Sequence, residues 1–259
     1  MDWIQNLSAL GPMMGMALIA WVLSLAKRNV GIIDSFWSLF FLTAVGYWWA
    51  GLEAPSSRAY LLSGLLLLWG VRLSVYLTVR NWGKPEDRRY ATIRQRNQPH
   101  YGLKSLIYVF CLQVVLAWVV AQPILPTLKS TGPLNGFDAA GTLIFLIGFL
   151  FESVADFQML MFKSKPGSGG QVMNRGLWRY SRHPNYFGEA VLWWGLYLIA
   201  LGANAPIWVL LSPVFMSFLL LRVSGVPLLE EDLKHRKPDY LEYIQTTSSF
   251  WPRSPRSLS

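Results

Sequence analysis

The chain has 259 residues, of which 53% are hydrophobic, 15% aromatic and only 14% charged. Soluble domains carry about 25% charged residues, so this composition argues against an ordinary soluble protein, and against a disordered or fibrous one. It favours a chain whose solvent is lipid. The single cysteine, Cys111, excludes an internal disulfide, and three histidines without ligand spacing argue against a metal site.

Seven apolar stretches follow one another along the chain, and most are close to the roughly 20 residues that a helix needs to cross a hydrocarbon core. They lack the alternation of barrel strands, so we predict an all-α integral membrane protein with seven transmembrane helices. The stretches are 11–26, 32–51, 59–79, 103–122, 139–162, 185–201 and 207–221.

The basic residues predict the orientation of these helices. The formal net charge is +9, and 20 of the 23 basic residues fall in segments that seven spans place on one side of the membrane. The positive-inside rule makes this side cytoplasmic, with the N-terminus outside and the C-terminus in the cytoplasm. We therefore predict a single seven-helix domain over residues 1–259 and attribute the charge to topology, not to nucleic-acid binding.

Ionisable residues inside a span are costly and therefore indicate function or pairing. Asp34 lies near the start of the second stretch, and Arg72 lies in the third. One interpretation is a buried Asp34–Arg72 ion pair that fixes how the helices pack. The other is that Asp34 faces a cavity as an acid, with Phe36, Trp37 and Phe40 forming an apolar wall that favours its protonated form.

The fifth stretch carries two acids near its predicted cytoplasmic end. Glu152 and Asp156 are four residues apart and share one helix face, and Lys163 continues that face. Two carboxylates and a lysine on one stripe suggest a ligand groove. The alternative is a solvated helix end with a snorkelling lysine.

The densest polar run of the chain lies at 176–189. Pro184 suits the first turn of a helix, which places Asn185 and Glu189 on one face of an otherwise apolar segment. A helix start surrounded by basic side chains suits a phosphate or another anion. The alternative is an interfacial belt in contact with lipid headgroups. The basic side chains are Arg179, Arg182 and His183.

The tail from Arg222 is polar, and we predict that its Ser/Pro/Arg-rich end is disordered. Arg222 is a stop signal or an anchor at the membrane boundary, and the acidic run that begins at Glu230 is a solvated helix face. Either can also close over a ligand.

The sequence at 177–189, Leu-Trp-Arg-Tyr-Ser-Arg-His-Pro-Asn-Tyr-Phe-Gly-Glu, resembles bacterial members of the steroid 5-alpha-reductase family. The stretch Arg-Asn-Val-Gly-Ile-Ile-Asp-Ser-Phe-Trp at 28–37 and the span that ends at Arg222 share this resemblance. It implies a monomeric seven-helix enzyme, in a bacterial inner membrane, that takes NADPH from the cytoplasm. The enzyme would reduce the 4,5 double bond of a 3-oxo-Δ4 steroid, or another apolar enone, that enters from the bilayer. Loops 80–102 and 163–184 and the tail 222–259 would cover the cofactor.

The resemblance also implies roles for individual residues. Asp34 is the expected catalytic acid that polarises the substrate carbonyl, and the expected substrate contacts are Phe36, Trp37 and Trp69, the last standing where the family has a tyrosine. The expected cofactor-binding residues are Asp156, Lys163, Asn185, Glu189 and Arg222, to which the polar run and the tail add Arg179, Arg182, His183 and Glu230.

Two other functions stay open at this point. Membrane methyltransferases that use S-adenosylmethionine on an isoprenylcysteine or a lipid share the Arg-His-Pro core of the motif. A non-enzymatic membrane protein that binds lipid would need no cofactor at all.

Overall fold

The computed structural model describes residues 3–223, 230, 233–234 and 236–256, and within these ranges the chain is helical with no strand. The all-helical prediction is therefore confirmed. The chain divides into two compact units. The first comprises Met1–Asp138 and Ile199–Ser212, and the second comprises Ala139–Leu198 and Pro213–Ser259.

The helices before residue 130 all belong to the first unit. A short 3-10 turn, Val30–Ile32, precedes α3, and a π-helical segment, Leu106–Cys111, joins α6 to α7. The α-helices are α1 Trp3–Ser8, α2 Leu10–Lys27, α3 Ile33–Trp49, α4 Ser57–Asn81, α5 Arg88–Arg96, α6 Tyr101–Ser105, α7 Leu112–Val120 and α8 Ile124–Leu128.

The boundaries between the two units fall inside the later helices. A π-helical segment, Leu219–Val223, follows α11. The α-helices are α9 Gly136–Lys163, α10 Pro184–Gly202, α11 Leu211–Phe218 and α12 Tyr240–Thr246.

Five helices of the described part are long and apolar enough to cross a membrane, and they match the first five predicted stretches. This is compatible with a multi-pass membrane protein. The other two predicted spans do not meet the same criterion. Helix α10 has 19 residues but carries Asn185 and Glu189 in its first turns. The helical segment Ile207–Val223 is apolar but shorter. The five helices span Trp3–Lys27, Val30–Trp49, Ser57–Asn81, Tyr101–Val120 and Gly136–Lys163.

In the first unit α3 is the central helix, because it packs against α2, α4 and α7. Its fully buried side chains include Phe40 and Phe41. Helices α3 and α4 approach closely at Gly70, where a Cβ would lie 3.0 Å from Cγ of Leu42. Ser38 Oγ donates a hydrogen bond to the Gly70 carbonyl at 2.7 Å, which ties the two helices at this point.

A buried ion pair lies within the first unit. The side chains of Arg58 and Asp138 are 1% and 3% exposed, and Arg58 Nε lies 2.7 Å from Asp138 Oδ1. Arg58 Nη2 donates to Asp138 Oδ2 at 2.8 Å and to the Pro133 carbonyl at 2.7 Å, and Nη1 donates to Ser130 Oγ at 2.7 Å. A buried charge is tolerated when it is paired and hydrogen-bonded in this way. The charge of Arg58 is therefore neutralised within the first unit.

In the second unit, α9 and α10 run antiparallel with almost no space between their backbones. A Cβ at Gly188 would lie 2.5 Å from the Glu152 nitrogen, and one at Gly148 would lie 2.5 Å from the Leu192 nitrogen. Further along α10, a Cβ at Gly195 would lie 2.5 Å from the Phe145 nitrogen. Small residues commonly allow such close approach between membrane helices. We call this contact the glycine seam.

The tail is more ordered than its composition predicts. Phe250 is 3% exposed, and its carbonyl accepts a hydrogen bond from Ser181 Oγ at 2.8 Å. The amide of Arg253 donates to the Tyr180 carbonyl at 2.9 Å. The prediction of a disordered end was therefore wrong for the described residues up to Arg256, because an apolar anchor and backbone hydrogen bonds hold them. Residues 257–259 lie outside the described part.

Candidate functional site

The second unit contains a cluster of buried polar side chains on α9 and α10. Glu152, Asp156 and Glu189 are 2%, 3% and 8% exposed. Asn185 Nδ2 donates a hydrogen bond to Asp156 Oδ1 at 3.2 Å. Asn185 Oδ1 is also buried, and within the described part of the chain it accepts no hydrogen bond. The sequence predicted one polar stripe on each helix, and the structure brings Asp156 and Asn185 into contact.

The glycine seam explains why these side chains meet. Because Gly188 has no side chain, its backbone reaches that of Glu152, and this contact fixes which residues of α9 lie opposite α10. One turn from it, Asp156 comes opposite Asn185. The helix spacing of four residues then keeps Glu152 and Glu189 on the same two faces.

Three of the predicted phosphate-binding cations lie at the surface. Lys163 at the end of α9, Arg179 and Arg222 are all exposed. Arg179 lines an open cleft of about 390 Å³ together with residues of the preceding loop and of α12. The other lining residues are Gln171, Val172, Asn174, Asp239, Glu242, Tyr243, Thr246, Thr247 and Pro255.

Arg182 and His183 are placed differently from the exposed cations. Arg182 Nε and Nη2 donate to the two carboxylate oxygens of Glu230 at 2.8 and 3.1 Å, and His183 Nε2 lies 3.0 Å from Glu230 Oε1. Arg182 Nη1 donates to the carbonyls of Ile244, at 3.1 Å, and Thr247. These three predicted cofactor residues therefore contact one another and the tail.

Burial and hydrogen bonding together set the charges of His183 and Glu230. Desolvation lowers the pKa of His183, although its hydrogen bond to Glu230 opposes the shift. Burial alone would raise the pKa of Glu230, but the hydrogen bonds from His183 and Arg182 outweigh it and lower that pKa to about 2. At neutral pH the triad therefore holds a carboxylate between a guanidinium and a neutral imidazole.

In the first unit, Asp34 binds two side chains of α5. Its Oδ1 accepts a hydrogen bond from the Tyr90 hydroxyl at 2.6 Å, and its Oδ2 accepts one from Arg89 Nη2 at 3.3 Å. Neither partner was predicted from the sequence, because both lie in a basic loop far along the chain. Both oxygens of Asp34 are acceptors in this arrangement, so the adjacent hydroxyl of Tyr90 is the proton-bearing group.

Helix α5 lies next to Asp34 because Glu86 forms hydrogen bonds both to α5 and to the 3-10 turn that precedes α3. Glu86 Oε1 accepts a hydrogen bond from the Val30 amide at 2.7 Å, and Arg94 of α5 donates to both Glu86 oxygens at 2.7 and 2.8 Å. Burial alone would raise the pKa of Glu86, but the hydrogen bonds from Arg94 and Val30 outweigh it and lower that pKa. Asp87 then caps α5 by accepting a hydrogen bond from the Arg89 amide at 2.9 Å.

Tyr90 keeps its proton at neutral pH. Burial, followed by the nearby negative charge of Asp34, raises the pKa of the Tyr90 phenol well above its ordinary value. A neutral phenol is a hydrogen-bond donor. Tyr90 is therefore the hydrogen-bond donor of this pair, and Asp34 is the acceptor that orients the Tyr90 hydroxyl.

Two of the aromatic residues predicted to contact the substrate, Trp37 and Trp69, are linked through ring contacts with Phe41. Trp37 packs edge-on against Phe41 at 5.3 Å between ring centroids, and Phe41 packs against Trp69 at 5.5 Å. Trp69 is fully buried, whereas Phe36 and Trp37 are half-buried. Phe41, which was not predicted from the sequence, joins the two tryptophans.

A sequence profile described as "Protein of unknown function (DUF1295)" matches residues 20–247. An uncharacterised protein of the fission yeast Schizosaccharomyces pombe, C594.04c, is 28% identical over 268 residues, which cover 91% of this chain and 76% of the yeast protein. No solved structure matches the chain significantly.

Proposed function

The chain belongs to the DUF1295 family, which is steroid 5-alpha-reductase-like, and from this premise we propose that it is a membrane-embedded, NADPH-dependent reductase. Its substrate class is an apolar enone such as a 3-oxo-Δ4 steroid, reduced at the carbon–carbon double bond. We further propose that α10 and Ile207–Val223 complete seven spans, with the basic loops in the cytoplasm.

The observation that carries this proposal is the buried cluster of Asp156, Asn185 and Glu189. The carboxamide of a nicotinamide offers both a donor and an acceptor, and the buried Oδ1 of Asn185 is an acceptor that lacks a donor among the described residues. Carboxylates there would also stabilise a cationic nicotinamide ring. The residues present therefore fit this cofactor, which supplies the hydride of the reaction.

The charged ends of the cofactor require cations outside the buried cluster. Lys163, Arg179 and Arg222 are exposed and suit its phosphates, Lys163 as a point charge and the arginines as bidentate donors. We do not assign Arg182 to this role, because Glu230 and two tail carbonyls already accept its hydrogen bonds.

The reduction also needs a group that stabilises the carbonyl oxygen while charge develops on it. We assign this role to the hydroxyl of Tyr90, held by Asp34. This revises the sequence prediction, in which Asp34 itself was the donor. Half-buried Trp37 supplies the aromatic surface that a flat apolar substrate would contact, and the buried Phe41 and Trp69 pack behind it.

The proposal is tested by NADPH oxidation and NADPH binding with the purified protein in detergent, using progesterone as substrate. We expect Glu189→Gln to weaken NADPH binding about 10- to 100-fold, because a hydrogen bond that involves a charged group contributes about 1.5–3 kcal/mol. Asn185→Ala should weaken it about tenfold, because a hydrogen bond between neutral groups contributes about 0.5–1.5 kcal/mol. The matched control is Glu53→Gln, an exposed acid outside the cluster, which should bind NADPH as the unaltered chain does.

Three outcomes overturn the proposal. Binding of S-adenosylmethionine without binding of NADPH would identify a methyltransferase. Binding of neither molecule would favour a non-enzymatic, lipid-binding protein. Equal NADPH affinity in the cluster variants and the control would show that the cofactor binds elsewhere.

A further inference from the structure

Three side chains connect the start of α10 to the tail of the second unit. Arg182 and His183 directly precede α10, and both contact the Glu230 carboxylate, which comes from a distant part of the chain. Their exposed fractions are 8%, 3% and 8% for Arg182, His183 and Glu230. We call these three residues the latch.

Arg182 contributes most of the contacts of the latch. Its guanidinium binds both oxygens of Glu230 and also the carbonyls of Ile244 and Thr247 at the end of α12. The Arg182 amide donates to the Ser248 carbonyl at 2.8 Å. Arg182 thus contacts the tail at Glu230, Ile244, Thr247 and Ser248.

Residues 178–181, just before Arg182, form further hydrogen bonds to the tail. Tyr243 donates its hydroxyl hydrogen to the Trp178 carbonyl, and Ser181 Oγ bonds both the Phe250 carbonyl, at 2.8 Å, and the His183 amide, at 3.1 Å. The Arg253 amide completes the set by donating to the Tyr180 carbonyl. The backbone that leads into α10 is therefore fixed from the tail side.

We infer that Arg182, His183 and Glu230 are positioning residues, which clamp residues 240–256 onto the start of α10 and so set the position of Asn185 and Glu189. They are not direct ligands of an anion. Arg182 already makes four side-chain hydrogen bonds within the chain, and a phosphate would have to displace the Glu230 carboxylate to reach it. The effect of the latch on cofactor binding rests on the proposed function, whereas the clamp itself does not.

The clamp is tested by hydrogen–deuterium exchange of the full chain in detergent, without any ligand. Local opening exposes protected amides to exchange, and Arg253 and Arg256 both have hydrogen-bonded amides in the tail. Arg182→Lys keeps the charge but loses the planar fork, and Glu230→Gln keeps the shape but loses the charge. We expect both to raise exchange in residues 240–256 about tenfold or more, while exchange in the middle of α9 is unchanged.

The matched control is Arg175→Lys, an exposed arginine of the same loop that is outside the latch. It should leave exchange of the tail unchanged. If Arg182→Lys does not fold, Glu230→Gln carries the test alone, because the amide oxygen that it introduces still accepts one hydrogen bond from Arg182.

A second readout separates clamping from direct ligation. If the latch acts by holding the tail, Glu230→Gln and Arg182→Lys weaken NADPH binding in proportion to the rise in amide exchange of residues 240–256. Unchanged tail exchange together with strongly weakened NADPH binding in Arg182→Lys would overturn the inference, because it would show a direct ligand. Unchanged exchange in both variants would also overturn it. If the unaltered chain does not bind NADPH at all, the proposed function fails. The exchange data still show whether the latch holds residues 240–256 on the start of α10.

Discussion

Asp34 and Tyr90 have unequal parts in the proposed chemistry, because one accepts the hydrogen bond that the other donates. Removing the Tyr90 hydroxyl by Tyr90→Phe should lower kcat about 100-fold or more, which is typical for the loss of a group that stabilises a developing oxyanion. Asp34→Asn should also lower kcat, since it removes the charge that holds Arg89 and orients the phenol. Both should change NADPH affinity about twofold or less, because neither residue belongs to the cofactor cluster.

The measurement is steady-state reduction of progesterone together with NADPH titration. Tyr108→Phe is the matched control, because this tyrosine is 54% exposed on the π-helical segment and should keep full activity. Equal loss of turnover and of NADPH affinity, or unchanged turnover in Tyr90→Phe, would contradict the assignment.

His183 and Glu230 predict how stability depends on pH. The pKa of each is lower in the folded chain than in the unfolded chain, so the unfolded chain binds more protons as the pH falls. Stability should therefore be complete above pH 6.5 and decrease on acidification, first through His183 and then, below about pH 4.5, through Glu230. The charge of Arg182 also lowers the pKa of Glu230, and burial raises the pKa of Tyr240 and Tyr243, so neither phenol titrates in this range.

Thermal unfolding in detergent between pH 7.5 and pH 4 measures this dependence. His183→Gln should flatten the decrease between pH 6.5 and 5 and leave the part below pH 4.5. A Tm that rises on acidification would contradict the prediction.

Single residues were predictable from the sequence where they stand out from an apolar run. Asp34, Asp156, Asn185 and Glu189 are of this kind. Tyr90 is not, because its role depends on where Glu86 fastens α5, and no local pattern encodes that contact. Arg182 was predicted as a cofactor contact, but its partner Glu230 was not assigned to it, because a basic motif does not reveal which acid it contacts.

At the level of elements, the glycine seam makes a sharp prediction about packing. In Gly188→Ala the new methyl group meets the backbone of Glu152, which cannot rotate away. Helices α9 and α10 must separate, and we expect a loss of about 1–3 kcal/mol in stability, as for other overpacked sites. The same change should weaken NADPH binding, because Asp156 and Asn185 would move apart.

Gly64→Ala is the control, since a Cβ at this position on α4 meets nothing within 4 Å. It should raise stability slightly, because alanine is the better helix former by about 0.8–1 kcal/mol. Thermal unfolding measures the stability of the two variants. A Gly188→Ala variant as stable as Gly64→Ala would contradict the close packing of the glycine seam.

The elements themselves were mostly predictable, since long apolar runs define α2, α3, α4 and α9. The seam was also visible in principle, as Gly141 and Gly148 repeat at the same interval as Gly188 and Gly195. Helix α5 was not predicted, because its residues are polar on most sides. Its cap at Asp87 and its ties through Glu86 are what stabilise it.

For the whole molecule, the proposed topology can be mapped with single cysteines in a Cys111→Ser background. A membrane-impermeant thiol reagent applied from outside should label Glu53→Cys and Asn204→Cys, both at exposed positions. It should label Lys84→Cys, Ser164→Cys and Arg256→Cys only after the membrane is opened.

The position at 204 distinguishes seven spans from five. If α10 and Ile207–Val223 do not cross the bilayer, Asn204→Cys and Ser164→Cys will label from the same side, which would contradict the proposed topology. Reversed labelling at Glu53 and Lys84 would contradict its orientation.

The division of the chain has a consequence for biosynthesis. Arg58 leaves the ribosome well before Asp138, so its guanidinium enters the translocation machinery before the carboxylate that will neutralise it exists. Further contacts of the first unit must wait longer still, because Val120 accepts its hydrogen bond from Ser212 and Trp3 stacks on Trp208. Helices α9 and α10 are therefore translated before the first unit is complete. Nascent chains arrested near residue 138 should be open to degradation by membrane proteases.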